Sequence, residues 1–159
     1  MTSAELPETV RVRPVQQDDR ARWGELYEGY LTFYKTALTA DQLDLVWSWL
    51  MDDSHEVCGL VAVGPAGVAG LAHYRQFTRP SSASLGGYLD DLFVDPAVRG
   101  SGTVEALLGA LSDIGRQKNW AVIRWITADD NYRARAKYDQ HARRTAWITY
   151  DLTPGATPE

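Results

Sequence analysis

One stretch, Leu92-Phe93-Val94-Asp95-Pro96-Ala97-Val98-Arg99-Gly100-Ser101-Gly102, limits what this chain can fold into more than any other. An apolar run of strand type stops at Asp95-Pro96, a glycine-rich turn follows, and Leu107, Leu108 and Leu111 mark the inner face of a long helix from Gly102 to Lys118. The first N–H groups of a helix have no partner within it and carry partial positive charge, so this order of elements is suited to holding phosphate. Glycines let the main chain approach phosphate oxygens closely, and Arg99 and Ser101 add donors.

The rest of the chain supplies a frame for that turn. Thr9 to Val15 alternates as a first strand, with Gln16 to Asp19 as the polar start of a helix. In that helix Trp23, Leu26, Tyr27, Tyr30, Leu31, Phe33 and Tyr34 make a broad aromatic stripe, which either packs as core or lines a substrate cleft through Tyr30 and Tyr34. Thr39 reads as the N-cap of a second helix carrying Leu43, Val46, Trp47 and Leu50. Val57 to Val63 and Val68 to Phe77 form a hairpin through Gly64-Pro65-Ala66-Gly67, and Tyr88 to Val94 is the next strand. Ala121 to Thr127 reads as a strand, Asp129 or Asp130 as the cap of a helix to about His141, and Thr145 to Leu152 as a last strand. This order predicts an α/β (α+β) fold: one domain over 9–152, a mixed, mostly antiparallel central sheet with helices on both faces. The Pro-, Thr- and Glu-rich ends, 1–8 and 153–159, are expected to fray.

Three phosphate motifs compete for the turn. A P-loop needs Gly-Lys-Ser/Thr after a four-residue gap, but Gly102 is followed by Thr103 and Val104. A dinucleotide fingerprint would put its third glycine at Glu105, which is large and negatively charged. What remains resembles the acyl-CoA motif of the GNAT superfamily of N-acyltransferases, a Leu-x-Val strand end, a proline loop, then Gln/Arg-x-x-Gly-x-Gly/Ala. Ala97 stands where the family usually has Gln or Arg, and Val104 where many relatives have a small residue. A second stretch, Asn131-Tyr132-Arg133-Ala134-Arg135-Ala136-Lys137-Tyr138, resembles the family's Asn-x-x-Ala-x-x-x-Tyr helix, with Asn131 and Tyr138 two turns apart on one face. Tyr30 to Tyr34, Gly70 to Tyr74 and Tyr88 to Val94 are similar to the branch of histone/polyamine and D-amino-acid acetyltransferases.

The resemblance implies an enzyme that transfers acetyl from acetyl-CoA to a primary amine by direct attack. It implies that main-chain N–H groups of Leu92, Phe93 and Val94 align the pantetheine arm, that Arg99, Gly100, Ser101, Gly102 and Thr103 seat the pyrophosphate, and that Asn131 lies beside the arm. Tyr138 is then the general acid: a phenol with pKa of about 10 stays protonated and can donate to a thiolate whose conjugate acid lies near about 8.5. A primary amine of pKa about 10.4 must lose a proton to react, and Asp91, or Asp90 beside it, is the candidate acceptor. Alternation points the two aspartates to opposite faces unless a bulge intervenes. With Tyr30, Tyr34, Tyr74 and Tyr88 nearby, such a carboxylate suits a cationic small-molecule or peptide amine. A chain that binds acyl-CoA as a sensor and transfers nothing is the alternative.

Composition closes other routes. Cys58 is the only cysteine and His55, His73 and His141 are scattered, so neither a disulfide nor a metal site is expected. The net charge of −5 argues against nucleic-acid binding, although 99–144 carries 9 basic and 5 acidic residues, a local excess suited to an anion. No apolar run approaches the roughly 20 residues of a membrane span, so a cytoplasmic protein is expected, and aromatic side chains on the first two helices would suit a homodimer face.

Overall fold

The computed structural model describes residues 9–155 and 157; the expected fraying of 1–8 lies outside the described residues, as do 156, 158 and 159. The chain divides into two compact units, Met1–Ile126 and Thr127–Glu159. In the first, the order is β1 (Arg11–Pro14), α1 (Arg20–Phe33), α2 (Ala40–Met51), β2 (Cys58–Gly64), β3 (Gly67–Arg79), β4 (Ser84–Val94), α3 (Thr103–Gln117) and β5 (Ile123–Arg124). The strands lie side by side in chain order, antiparallel from β1 to β4 and parallel between β4 and β5. Short turns join β2 to β3 and β3 to β4, α1 and α2 lie between β1 and β2, and α3 makes the long crossover that the parallel neighbours β4 and β5 need.

Local chemistry sets these elements. Thr39 accepts from the Gln42 N–H while Gln42 reaches back to the Thr39 N–H, a reciprocal cap that starts α2 where expected. On α1 the stripe buries Trp23, Leu26, Tyr27 and Leu31 against Leu43 and Leu50 of α2 and Leu71 of β3. The next residue back on β3, Gly70, faces the other way: a Cβ there would stand 3.0 Å from Thr103 Cγ2 and 3.4 Å from Leu107 Cδ1 of α3. Successive strand residues therefore serve opposite layers, with α1 and α2 on one face and α3 on the other. Leu71 has no exposed surface, so Leu71→Ala is expected to destabilise the first unit by about 2–5 kcal/mol, seen as a lower denaturation midpoint at unchanged slope.

Several boundaries differ from expectation. Pairing of β3 with β4 continues out to Arg79 and Ser84, so the loop before Tyr88 shrinks to a short helical turn at Pro80–Ser82. The strand expected over 121–127 is only Ile123–Arg124, since its ladder to β4 is confined to Gly87 and Tyr88.

In the second unit α4 (Tyr132–His141) starts directly after Asn131, whose side chain makes no cap bond to the helix, rather than after Asp129 or Asp130; the Asp130 carbonyl accepts from the Tyr132 N–H at 2.8 Å. Residues 145–152 form no strand, and Trp147 and Tyr150 are 85% and 86% exposed. Apolar alternation marks which side chains share a face, but a strand also needs a neighbour's main chain to complete its ladder, and among the described residues this segment has none.

Candidate active site

The register of β3 and β4 slips at one point: His73 pairs with Asp91 and Tyr74 with Leu89, leaving Asp90 as an extra residue. This bulge overrides the alternation that would part the two aspartates. Asp91 Oδ2 lies 2.8 Å from His73 Nδ1, while both oxygens of Asp90 accept from Arg75 Nε at 3.2 and 3.1 Å. His73 and Arg75 are two apart on β3 and so share a face. Both carboxylates therefore stand on the α1 side of the sheet.

They differ in character. Burial pushes the Asp91 carboxyl up, but bonds from His73, Tyr30 and Tyr27 outweigh it and hold it below the ordinary carboxylate range. The Tyr27 hydroxyl donates to Asp91 Oδ2 at 3.1 Å. Burial and then the Asp91 charge drive both Tyr27 and Tyr30 well above the usual phenol range, so these hydroxyls keep their protons. Asp90 goes the other way: burial raises it, the Arg75 guanidinium offsets only part, and the charge of Asp91 adds to the rise. Asp91 is thus a fixed anion, and Asp90 is the more basic carboxylate of the two.

Aromatic rings wall this pair. Tyr27, Tyr30 and Tyr34 run along α1 with centroids 5.6 and 4.8 Å apart, and Tyr34 is 40% exposed at the mouth. Tyr88 lies under the Arg75 guanidinium at 5.0 Å. Tyr74 is elsewhere, on the α3 side, its ring 6.1 Å from Trp120 and its hydroxyl pushed up to about 12 by burial and then by Cys58. Tyr27, His73 and Arg75 were not singled out from the sequence. Tyr27 carries a signal, since a phenol on the innermost line of a helix needs a polar partner that phenylalanine would not.

Beside this niche a cleft of about 420 Å³ opens between α1 and the segment after β4, with Leu26, Gly29, Phe33, Phe93 and Arg99 in its walls. Gly29 has to be small, because a Cβ there would stand 2.9 Å from the Phe93 ring. Arg22 ties the two sides together through Asp95, at 2.6 Å, and Asp95 in turn accepts from the Ala97 N–H at 2.9 Å. The entry to the glycine turn is thereby anchored to α1.

The turn itself is partly self-satisfied. Arg99 N–H donates to the Pro96 carbonyl and Ser101 N–H to that of Val98, at 3.5 and 3.2 Å. Among the described residues the N–H groups of Gly100, Gly102, Thr103 and Val104 have no main-chain acceptor, and α3 has no side-chain cap. Gly100 and Gly102 sit at φ +82° and +84° with open space where a Cβ would be, a left-handed geometry that glycine adopts without strain. Just past β4, Asp95 N–H donates to Ala69 of β3 at 2.8 Å. By alternation Phe93 N–H also faces β3, whereas Leu92 and Val94 direct theirs to the opposite edge. Among the described residues no strand pairs with that edge beyond Tyr88, where the ladder to β5 ends.

Asn131 and Tyr138 belong to the second unit, both half-buried. Asn131 donates to Thr127 Oγ1 at 3.3 Å, and the Tyr138 carbonyl accepts from Ala142. Among the described residues no group of three His, Cys, Asp or Glu side chains is placed to hold a metal ion, and no helix is long and apolar enough to cross a membrane.

Comparison with known proteins bears on the family and the fold. The sequence model of the acetyltransferase (GNAT) family matches residues 23–142. The D-amino-acid N-acetyltransferase HPA3 of Saccharomyces cerevisiae is 22% identical over 141 residues, covering 87% of this chain and 88% of that protein. An aminoglycoside N-acetyltransferase, AAC(6')-Iy, solved in complex with CoA, superposes with a TM-score of 0.80 at 13% identity, over 96% of this chain and 99% of that one. A ribosomal-protein-alanine N-acetyltransferase from Brucella melitensis biovar Abortus 2308 superposes with a TM-score of 0.76 at 20% identity, over 92% and 100% of the two chains. Likeness at this level of identity establishes the fold, and the family match, over three quarters of the length, establishes the lineage: this chain belongs to the acetyltransferase (GNAT) family.

Proposed function

We propose that the chain transfers acetyl from acetyl-CoA to a primary amine that enters as a cation through the aromatic niche of α1. The observation that carries this reading is the pairing, on the α1 side of the sheet, of an anion held ionised by three donors with a second, more basic carboxylate. A sensor has no need of a proton acceptor next to a cation site.

The residues present fit the cosubstrate. The open N–H groups at Gly100, Gly102, Thr103 and Val104, with Arg99 and Ser101, would hold the pyrophosphate, and the free edge at Leu92 and Val94 would take the pantetheine amides as an added strand does. Bound acetyl-CoA supplies a thioester carbonyl open to attack. The protein does the rest with its own groups. Asp91 attracts the ammonium, the rings of Tyr30 and Tyr34 screen it from water, and Asp90 accepts the proton that must leave before nitrogen can attack. Tyr138 is the proposed donor to the departing thiolate, and Asn131 a contact of the pantetheine arm, both on the strength of the family pattern in α4. A dimer, a cytoplasmic location and the choice among small-molecule and peptide amines belong to the same proposal.

Asp90→Asn removes the acceptor but keeps the shape. At pH 7 it is expected to lower kcat/KM for the amine roughly tenfold, a gap that closes as pH rises toward the amine's own pKa of about 10.4, where more of it is neutral without help. The reading as a whole is tested by thiol release from acetyl-CoA against a panel of polyamines, D- and L-amino acids, aminoglycosides and peptide amines. Amine-dependent release with an acetylated product supports it; binding of acetyl-CoA with no amine-dependent release points to the sensor instead.

A further inference from the structure

His73 is buried at 2% exposure between α1 and β4, and both its ring nitrogens are committed. Nδ1 lies 2.8 Å from Asp91 Oδ2, and Nε2 accepts from the indole N–H of Trp23 at 2.9 Å. An indole nitrogen can only donate, so Nε2 is an acceptor and the ring proton sits on Nδ1, where it is given to Asp91. Trp23 is itself 1% exposed and wedged against Tyr27 and Trp47, so water has no room to take over its bond. Asp91 is faced by His73 from β3, by Tyr27 and Tyr30 from α1, and by Asp90 from its own strand, with Arg75 beyond Asp90. Across β2 the residue opposite His73 is Gly59, which carries no charge.

We propose that Trp23 is a positioning residue of the acceptor site: its indole N–H fixes His73 in the Nδ1–H form and thereby holds the His73–Asp91 pair at one negative charge. This rests on the acceptor reading given above, and it adds a group that never touches the amine. A second proton on His73 would have to enter at Nε2, head-on to the indole N–H. A proton on Asp91 would have to displace bonds from Tyr27, Tyr30 and His73. With the indole N–H removed, the first of these obstacles is gone, Nε2 becomes a buried acceptor without a partner, and the pair takes up a proton at a higher pH than before. The niche would then lose its hold on a cation under mildly acidic conditions while the ring packing stays.

The test needs the wild-type protein first. In ¹⁵N and ¹³C spectra, His73 is expected with Nδ1 protonated and Nε2 bare, and the Asp91 carboxyl carbon with the shift of an anion; a protonated Nε2 overturns the proposal without any variant. In Trp23→Phe, the first proton uptake by the pair should move up by about a pH unit or more, and the acid limb of kcat/KM for the amine should move with it, while activity at pH 8 stays within about threefold. If Trp23→Phe does not fold, 3-benzothienylalanine in place of Trp23 keeps the bicyclic shape and lacks the N–H. Proton uptake and acid limb unmoved in a folded variant would confine Trp23 to packing. The spectra are independent of catalysis, so a chain with the expected ring state but no acetyl transfer would refute the acetyltransfer reading and leave the proton lock standing.

Discussion

Gly102→Asp is expected to abolish measurable CoA binding while leaving the protein as well folded as before. Gly102 is the residue from which α3 starts, at φ +84°, with nothing within 4 Å of where a Cβ would stand. A non-glycine residue in this conformation costs about 1–2 kcal/mol, and a carboxylate at a helix start returns about 1 kcal/mol, so stability should change little. Binding is a different matter, because the new charge would stand at the N–H groups proposed to hold a diphosphate. Like charges about 4 Å apart near a protein surface repel by up to about 4 kcal/mol, enough for a loss of roughly 10²- to 10³-fold. Gly102→Asn, similar in shape but neutral, isolates the charge and should bind CoA within a few-fold of wild type. Calorimetric titration of the two variants with CoA checks this directly. Equal affinity for both would take the turn out of the site.

Tyr138→Phe should spare CoA affinity and lower kcat by roughly 10²-fold. The change deletes one hydroxyl, keeps the ring, and leaves the α4 main chain bonded as it is, including the Tyr138 carbonyl to Ala142. A thiolate leaving from CoA needs a proton at the moment the bond breaks, and a positioned donor is worth about 10²- to 10⁴-fold. An effect on kcat and kcat/KM together, with the dissociation constant of CoA within about threefold, is the signature of a group that acts only in the transition state. Should turnover survive unchanged, water or another side chain protonates the sulfur.

The glycine turn was legible in the sequence because its signals are positional: proline ends a strand, paired glycines allow positive φ, and a leucine stripe marks the helix. The cap at Thr39 and the hairpin at Gly64–Gly67 were legible for the same reason. The carboxylate pair was visible only as two adjacent letters. Alternation sends neighbours to opposite faces, and the bulge that turns Asp90 and Asp91 to one side arises from how β3 and β4 pair, with no local residue announcing it. The basicity order was hidden as well, since the donors that hold Asp91 ionised come from α1 and β3, 18 to 64 positions away in the chain. Trp23 and His73 meet across 50 residues, and in the sequence His73 was only one of three scattered histidines. The last strand failed for the converse reason. Trp147, Ile148, Tyr150 and Leu152 carry the right periodicity, but they stand exposed and outside any ladder.

The proposed chemistry depends first on the peptide N–H groups that open α3 gripping the diphosphate of CoA. Amide ¹H–¹⁵N spectra recorded during titration with CoA address that grip residue by residue. The largest shifts are expected at Gly100, Gly102, Thr103 and Val104, with smaller ones at Leu92 and Val94 and little change at Arg99 and Ser101, whose N–H groups already serve Pro96 and Val98. Saturable binding that leaves the Gly100–Val104 amides unmoved would contradict it.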